Sequence, residues 1–358
     1  MEIHQLVPGL CVGDAVTNHA LEIQKFLKQQ GHSSLIFSVD QHVSPHMKSA
    51  CLDYRQHAAT SSAKNILIYH FSTGSELTAY FQKAPDKKIM IYHNITPARF
   101  FRGLSEEKAE SVEAGRLQLK ELAPTPELAL GVSQYNQKEL IEAGFQNTGI
   151  LPLVFDPHPW NGNLNSALLR KYRDGKTNFL FVGRVAPNKK FEDLIRAFYF
   201  YQKTVNPNSR LLLIGSYTGM EKYYSFLKAL VNKLDVQEVI FSGHISDQDV
   251  ETYYRCADLF LCLSEHEGFC LPLLEAIHAG LPVLAYDACA IAETLGGRGV
   301  LLKEKNYIAI AELAGKILAD LSLKQAIVAA QKERLAPFSR EKMGERLKRY
   351  LETLSANG

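Results

Sequence analysis

Short apolar runs alternate along this chain with longer stretches in which apolar residues recur every three or four positions. The short runs are rich in β-branched and aromatic residues and predict strands, whereas the longer repeats predict amphipathic helices. The predicted strands of the first half are Ile3–Val7, Leu35–Ser38, Ile66–Tyr69, Ile89–Tyr92, Leu128–Val132 and Gly149–Leu151. Those of the second half are Asn178–Val182, Arg210–Ile214, Val239–Phe241, Leu259–Leu263, Val283–Ala285 and Val300–Leu302.

The helical stretches fall between these strands. The clearest apolar helix faces are Ala20, Ile23, Phe26 and Leu27, then Phe191, Leu194, Ile195 and Phe198, then Phe226, Leu230 and Leu234. Because the strands are apolar almost throughout and alternate with helices, the pattern predicts parallel sheets covered by helices on both faces. The predicted fold class is therefore α/β.

Length and one loop-like segment divide the chain. Its 358 residues suffice for two domains, and the segment Asp156–Asn165 (DPHPWNGNLN) has the composition of a linker. We predict a doubly wound domain over residues 1–160 and a second over residues 161–337. A charged helix, Glu341–Leu354, lies within residues 338–358, and packing back on the N-terminal domain is one option for it. Ligands of such folds bind at the carboxyl ends of the strands, so two facing domains predict a cleft between them.

The composition excludes several classes of protein. Apolar residues make up 46% and charged residues 22% of the chain, and the net charge of +2 is too balanced to indicate a nucleic-acid partner. The six cysteines form no C-x-x-C pair, which predicts free thiols in a reducing compartment. No signal-peptide pattern and no membrane-spanning apolar run is present. We therefore expect a cytoplasmic protein, and peripheral contact with the inner face of the membrane stays open.

The segment Gly183–Lys189 (GRVAPNK) follows a predicted strand and precedes the helix at Phe191. Arg184 and Lys189 place two cations on this loop, and such side chains bind phosphate oxygens. The glycine at its start lets the backbone approach a ligand closely. Taken alone, a loop of this kind more often carries two solvated cations.

Two carboxylates, Glu267 and Glu275, form a second candidate motif. Glu267 lies in a glycine-containing turn, and Glu275 lies in the apolar helix Leu271–Gly280, whose Pro272 suits a first helical turn. The helix N-terminus points its partial positive charge between the two acids, so a diphosphate with a hydroxylated group on either side would fit. The simpler interpretation is an amphipathic helix with an exposed first-turn acid, although a carboxylate in so apolar a helix requires a partner.

Together, Gly183-Arg184 with Lys189 and Glu267 with Glu275 resemble the retaining glycosyltransferases of the GT-B fold, family 4. The resemblance covers nearly the whole chain and is stronger in the C-terminal half. Further matching segments are Gly13-Asp14-Ala15-Val16, His93-Asn94-Ile95-Thr96-Pro97, Val132-Ser133-Gln134-Tyr135-Asn136, Gly243-His244-Ile245-Ser246-Asp247 and Gly280-Leu281-Pro282-Val283. The resemblance implies two Rossmann-like domains that face a central cleft.

The resemblance also implies a role for each matching residue. Arg184 and Lys189 neutralise the diphosphate of a nucleotide-sugar donor, Glu275 binds the ribose hydroxyls, and Glu267 binds hydroxyls of the transferred sugar. The implied catalytic set is His93, which lies near sugar and acceptor, with Arg184, Lys189 and Glu267. The implied donor-binding set is Gly13, Gly183, Arg184, Lys189, His244, Ile245, Glu267, Gly268, Phe269, Cys270, Leu271 and Glu275.

Two positions depart from the family pattern. Cys270 stands where many relatives have glycine and narrows the sugar pocket, and Gly13-Asp14 replaces a Gly-Gly pair, which makes Asp14 a candidate for facing the acceptor. The stretch Asp247-Gln248-Asp249 matches a metal-binding D-x-D pattern of another fold. Because Ser246 precedes it in a capping-box arrangement, we interpret it as a helix start. We expect neither a metal ion nor a cofactor.

The expected function is transfer of a hexose from a UDP- or GDP-linked sugar, with GDP-mannose among the candidates, to a glycan or glycolipid acceptor. The resemblance implies retention of configuration, and cations in place of a metal ion stabilise the leaving diphosphate. A sugar-nucleotide epimerase and a non-catalytic sugar-nucleotide-binding subunit of a polysaccharide assembly complex remain alternatives. A phosphorylase of the same fold lacks support because no pyridoxal lysine motif is present, and a dehydrogenase lacks a G-x-G-x-x-G after any strand.

Overall fold

The computed structural model describes residues 2–157, 160 and 162–356. His158, Pro159 and Asn161 of the predicted linker lie outside the described residues. The chain divides into two compact units. Unit 1 comprises residues 2–99, 106–154 and 338–356, and unit 2 comprises residues 100–105 and the described residues of 155–337.

Unit 1 is built on a parallel sheet of seven strands. The strands are β1 (Ile3–Val7), β2 (Ile36–Ser38), β3 (Leu52–Asp53), β4 (Ile66–Phe71), β5 (Lys87–Tyr92), β6 (Leu128–Gly131) and β7 (Thr148–Ile150). Their order in the sheet is β3-β2-β1-β4-β5-β6-β7. The helices of unit 1 are α1 (Ala15–Gln29), α2 (Leu77–Lys83), α3 (Glu106–Leu122) and α4 (Gln134–Glu142), and the unit also contains the C-terminal helix described below.

Unit 2 is built on a parallel sheet of six strands. The strands are β8 (Thr177–Val182), β9 (Ser209–Ile214), β10 (Val239–Phe241), β11 (Leu259–Cys262), β12 (Val283–Tyr286) and β13 (Val300–Leu302), in the order β10-β9-β8-β11-β12-β13. The helices are α5 (Ser166–Tyr172), α6 (Phe191–Thr204), α7 (Glu221–Leu234), α8 (Asp247–Cys256), α9 (Leu271–Ala279), α10 (Ile291–Leu295), α11 (Tyr307–Ala319) and α12 (Leu321–Lys332).

The C-terminal helix α13 (Arg340–Ala356) belongs to unit 1, although the chain reaches it only after completing unit 2. Arg340 forms an ion pair with Glu22 of α1, with 2.9 Å between Nη2 and Oε1. Gly344 packs so closely on Phe26 that a Cβ at this position would lie 2.5 Å from the ring. The helix therefore covers the outer face of α1 inside unit 1.

Local sequence explains where many helices begin. Polar side chains at the N-caps accept hydrogen bonds from first-turn N–H groups, which otherwise have no partner in the helix. These caps are Asp14, Ser133, Asn165, Ser246, Asn306 and Asp320. Within the residues that the structure covers, no helix combines the length and hydrophobicity that crossing a bilayer requires.

The prediction of two parallel-sheet, doubly wound domains is confirmed, and each predicted strand is present with both ends within two residues of their predicted positions. The strand β3 was not predicted. Both strand orders reverse direction once, between β1 and β4 in unit 1 and between β8 and β11 in unit 2. Ligands of open α/β sheets bind beside the carboxyl ends of the strands at this reversal. These two edges are therefore where a functional site is expected.

Candidate active site

The strand reversal of unit 2 brings the two charged motifs together. The loop after β8 carries Lys189, and the loop after β11 carries Glu267. Because β8 and β11 are hydrogen-bonded neighbours, their loops meet at one edge of the sheet. Lys189 Nζ lies 2.5 Å from Glu267 Oε2.

This ion pair is largely withdrawn from water. Glu267 is 5% exposed, and the side chain of Lys189 is 22% exposed. Burial lowers the pKa of Lys189 and the Glu267 carboxylate raises it, and the balance is a raised pKa, so the ammonium group stays charged. The second carboxylate oxygen, Oε1, is buried and has no hydrogen-bond partner among the described residues. It can therefore accept a hydrogen bond from a ligand hydroxyl, and Lys189 retains two further N–H donors for an anion.

Asn188 braces the two loops against each other. Its side-chain amide nitrogen donates to the carbonyl oxygen of His266 at 3.0 Å, and its backbone carbonyl oxygen accepts from the N–H of Glu265 at 2.9 Å. Thr294 Oγ1 donates to the carbonyl oxygen of Phe269 at 2.5 Å. These buried hydrogen bonds position Lys189 and the loop that carries Glu267. The sequence analysis assigned no role to Asn188 or Thr294.

The helix α9 begins at the end of this loop. Its N-cap, Cys270, has a φ of 77°, a left-handed conformation that side chains disfavour. Pro272 occupies the first turn, as predicted. The first-turn N–H groups of a helix have no intrahelical acceptor and carry its partial positive charge, so they are suited to an anion. The CH₂SH side chain of Cys270 occupies the position where glycine has only a hydrogen atom.

Glu275 lies one turn into α9, and the partner that the sequence required for it is Tyr254. The Tyr254 hydroxyl donates to Glu275 Oε2 at 2.7 Å. Burial raises the pKa of Glu275, and the Tyr254 hydrogen bond opposes the shift by stabilising the carboxylate. Glu275 keeps its other oxygen for a hydroxyl-bearing ligand.

Arg184 is exposed on the loop after β8, and its Nη2 donates to the carbonyl oxygen of Thr218 at 3.0 Å. A glycine is required at Gly215, on the loop after β9, where the backbone packs against Gly183. Gly215 has a φ of 147°, and a Cβ there would lie 2.1 Å from the carbonyl oxygen of Gly183. The loops after β8 and β9 are therefore in direct backbone contact.

The loop after β10 lies beside the loop after β9. The N–H of Gly215 donates to the carbonyl oxygen of Gly243 at 3.2 Å, and next to it His244 is exposed and Ile245 is half-buried. Ser246 Oγ accepts from the N–H of Asp249 at 3.2 Å. The interpretation of this stretch as a helix start is confirmed.

In unit 1, the loop after β1 contains Gly13, which is exposed with a φ of 75°. Asp14 Oδ2 accepts from the N–H of Thr17 at 2.9 Å and caps α1. The side chain that we considered for the acceptor therefore has a structural role at the start of this helix.

His93 follows β5 at the carboxyl edge of the same sheet. Its Nε2 lies 3.0 Å from Nδ1 of His70, and burial lowers the pKa of His93 well below its ordinary value, so the ring is neutral. Asn94, which follows it, has a left-handed φ of 81° and donates to Asn136 Oδ1 and Glu139 Oε2, each at 2.9 Å. These hydrogen bonds hold the turn that presents His93.

Two groups of side chains in the described ranges have donor atoms spaced for a metal ion, within 4.8 Å of one another. They are His19, His70 and His93 in unit 1, and Cys262, Glu267 and Cys270 in unit 2. Glu267 is already paired with a cation, and His70 and His93 are hydrogen-bonded to each other. The structure thus places Arg184, Lys189, Glu267 and Glu275 at one edge in unit 2, and Gly13 and His93 at one edge in unit 1.

Comparison with known proteins relates the chain to glycosyltransferases. Residues 170–334 match the family described as Glycosyl transferases group 1. O-antigen chain mannosyltransferase B of Escherichia coli is 27% identical over 230 residues, which cover 62% of this chain and 60% of that protein. Alpha-monoglucosyldiacylglycerol synthase of Acholeplasma laidlawii is 33% identical over 129 residues, 36% of this chain and 31% of that enzyme. The matched stretch thus spans less than two thirds of each relative.

Among solved structures, HepE from Anabaena in complex with UDP-glucose aligns with a TM-score of 0.74 at 18% identity, covering 99% of this chain and all of that one. Sucrose-phosphate synthase from Thermosynechococcus elongatus aligns with a TM-score of 0.73 at 17% identity over the full length of both chains. At these identities the likeness establishes the fold, which is the GT-B fold.

Proposed function

Since residues 170–334 carry the domain of the group 1 glycosyl transferases and the fold is GT-B, we propose that this protein is a retaining glycosyltransferase. It moves a hexose from a UDP- or GDP-linked sugar to a glycan or glycolipid acceptor in cell-surface polysaccharide synthesis, without a metal ion. The mannosyltransferase and glycolipid synthase among its relatives support this acceptor class. A glycolipid acceptor would bring the protein to the inner face of the membrane.

The observation that carries the proposal is the Lys189–Glu267 pair at the strand reversal of unit 2. A buried ion pair costs desolvation energy, and here one Glu267 carboxylate oxygen has no partner in the part of the chain that the structure describes. A nucleotide sugar supplies what both residues lack, because its phosphate oxygens accept from Lys189 and a sugar hydroxyl donates to Glu267.

The remaining residues of this edge suit the other parts of the donor. Arg184 and the first-turn N–H groups of α9 bind the diphosphate, and Glu275, oriented by Tyr254, accepts from the ribose hydroxyls. The loop from Gly243 to Ile245 flanks the base. As the anomeric C–O bond breaks, negative charge develops on the diphosphate, and fixed cations and dipoles stabilise that charge without reorganising.

We further propose that the acceptor hydroxyl attacks from the face of the sugar that the diphosphate leaves. A phosphate oxygen of the departing diphosphate takes the acceptor proton, and the new C–O bond keeps the original configuration. His93 binds a hydroxyl of the transferred sugar or of the acceptor from unit 1.

Ligand binding and transfer test the proposal directly. Thermal unfolding is measured with UDP, GDP, ADP and their sugars, because a ligand at 100 times its Kd stabilises the folded protein by about 2.7 kcal/mol. The stabilising donor is then incubated with glycan and glycolipid acceptors, and the anomeric configuration of the product is determined by NMR. We expect one base to be preferred and transfer to retain configuration.

Several results would contradict the proposal. Stabilisation by none of these donors would remove the binding site. Binding with no transfer to any acceptor would favour a non-catalytic subunit, and conversion of the donor sugar in the absence of acceptor would favour an epimerase. Lys189→Met removes the positive charge of this side chain and should abolish thermal stabilisation by the donor.

A further inference from the structure

A chain of hydrogen bonds runs through the interior of unit 1 to His93. The amide nitrogen of Gln5, on β1, donates to the carbonyl oxygen of Ala20 at 3.0 Å. Gln5 Oε1 lies 2.8 Å from Nε2 of His70, on β4. His70 Nδ1 in turn lies 3.0 Å from Nε2 of His93, directly after β5.

The first link determines the direction of every other link. The carbonyl oxygen of Ala20 can only accept, so the NH₂ end of the Gln5 amide faces it and Oε1 faces His70. Because Oε1 can only accept, Nε2 of His70 carries a hydrogen and donates. A neutral imidazole has one N–H, so Nδ1 of His70 is an acceptor and must receive its hydrogen from Nε2 of His93. The remaining nitrogen of His93, Nδ1, then carries a lone pair.

All three rings of this cluster are neutral near physiological pH. Burial lowers the pKa of His70 and of His93 well below the ordinary value, and the neighbouring histidines lower both further. Burial lowers the pKa of His19 to about 3. His19 lies edge-on to the other two rings, at 5.9 Å and 5.4 Å between centroids. Neither of its nitrogens has a hydrogen-bond partner within residues 2–157, 160 and 162–356. It therefore does not compete for the hydrogens of the chain.

His70 is fully buried, whereas His93 is partly exposed at the carboxyl edge of the sheet. Within the described residues, Nδ1 of His93 makes no hydrogen bond. The buried end of the chain thus determines which kind of hydrogen-bonding group the accessible end presents. A ring with the opposite tautomer would present an N–H donor instead.

We propose that Gln5 and His70 are positioning residues that hold His93 in the tautomer protonated at Nε2, so that Nδ1 accepts a hydrogen bond from a sugar or acceptor hydroxyl. The second half of this statement rests on the proposed function, while the first half concerns the ligand-free protein. The site then selects a hydroxyl, which can donate, over a group at the same position that only accepts, such as fluorine.

The decisive measurement is the tautomer of His93, read from two-bond ¹H–¹⁵N correlations in the ligand-free full chain. We expect the Nε2–H form in the wild type. His70→Leu leaves Nε2 facing an apolar side chain, so the proton should move to Nδ1, where water can solvate it. His70→Asn keeps a carbonyl acceptor close to the former Nδ1 and should retain the Nε2–H form. His19→Leu, in the same cluster but outside the chain of hydrogen bonds, should leave the tautomer unchanged.

Turnover provides the second measurement. His70→Leu should lower kcat/KM about tenfold, as the loss of one hydrogen bond does, while His70→Asn should stay close to the wild type. The proposal would be overturned if His93 of the wild-type protein were protonated at Nδ1. It would also be overturned if His93 had the same tautomer in the wild type and in His70→Leu. Equal losses of activity in folded His70→Leu and His70→Asn would overturn it as well. If no donor is turned over at all, the proposed function fails while the tautomer result still stands.

Discussion

The side chains at the strand reversals of the two parallel sheets differ in charge. At the strand reversal of unit 2, the side chains are charged, with Lys189 and Glu267 in a close ion pair. At the strand reversal of unit 1, His70 and His93 are neutral because burial lowers their pKa values. A parallel sheet therefore determines where a candidate site forms, whereas the residues after its strands determine whether the side chains of that site are charged or neutral.

The largest expected effect tests the charged edge. Lys189→Ala should lower kcat/KM by roughly 10²–10³-fold, as the loss of one group that stabilises transition-state charge does. It should also lower the free energy of unfolding by about 3–5 kcal/mol, because it leaves the Glu267 carboxylate buried without its counter-charge. Chemical denaturation and donor turnover measure the two effects separately.

A matched control lies at the opposite edge of the same sheet. Lys176, just before β8, pairs with Glu238 at the same 2.5 Å, and both side chains are more exposed. Lys176→Ala should lower the free energy of unfolding by less than about 1 kcal/mol and leave donor turnover unchanged. Equal losses in Lys176→Ala and Lys189→Ala would remove the distinction between the two ion pairs.

The neutral edge should respond less. His93→Ala should lower kcat/KM about tenfold, since a neutral hydrogen bond is at stake, and the loss should not depend on salt concentration. Steady-state kinetics at low and high salt measure this. A loss in His93→Ala as large as in Lys189→Ala would indicate that unit 1 also stabilises charge in the reaction.

Glu275 belongs to the charged edge, but burial raises its pKa and so favours the neutral carboxyl group. The folded protein thus binds this proton more tightly than the unfolded chain, and ionisation costs stability as pH rises from the ordinary carboxyl pKa through the raised one. Relative to Glu275→Gln, the wild type should therefore lose stability across that window. Denaturation at a series of pH values measures the difference, and parallel profiles would contradict it.

Activity provides a separate measure of Glu275. Glu275→Ala should mainly raise the donor KM, and Tyr254→Phe should raise it in the same direction by removing the hydrogen bond that orients the carboxylate. An unchanged donor KM in Glu275→Ala would place this residue outside the ribose site.

The backbone at Cys270 predicts a smaller effect. Its left-handed φ of 77° costs a residue with a side chain about 1–2 kcal/mol, which glycine avoids. Cys270→Gly should therefore be more stable than Cys270→Ala by about that amount, as thermal denaturation of both can establish. On the expectation that the Cys270 side chain narrows the sugar pocket, Cys270→Gly should also accept a wider range of donor sugars. Equal stability of the two variants would argue against backbone strain.

The smallest expected effect is no change at all. Excess EDTA should leave the rate of transfer unaltered, since in the proposed mechanism Arg184, Lys189 and the α9 N-terminus take the role that a divalent cation has elsewhere. The control is a known Mn²⁺-dependent glycosyltransferase assayed in parallel. A strict requirement for Mn²⁺ would return attention to Asp247 and Asp249.

The strands were predictable because long buried strands are apolar along their whole length. The strand β3 was not, since Leu52–Asp53 contains one apolar residue and lies at the sheet edge. The motif residues Lys189 and Glu267 were also predictable, but their contact joins positions 78 apart and depends on β8 and β11 being neighbours. Local sequence contains no signal for that pairing.

His70 was missed because a single histidine inside an apolar strand usually indicates core packing. A signal was nevertheless present, because Ile-Tyr-His occurs both at positions 68–70 and at positions 91–93. The same tripeptide at the ends of two neighbouring parallel strands places both histidines near one edge. Similarly, Tyr254 could not be identified as the partner of Glu275, since the contact joins two separate helices, α8 and α9, across 21 positions of the chain.

The helix α13 has a consequence for synthesis on the ribosome. It emerges roughly 190 residues after β7, which at about 5–20 residues per second corresponds to roughly 10–40 s. During this interval the sheet of unit 1 exists without the helix that covers α1, and Phe26 and Glu22 face solvent or a chaperone. Unit 2, whose strands and helices are contiguous in the chain, has no such delay. A nascent chain that stalls within unit 2 should therefore be sensitive to proteolysis in the first unit to be made.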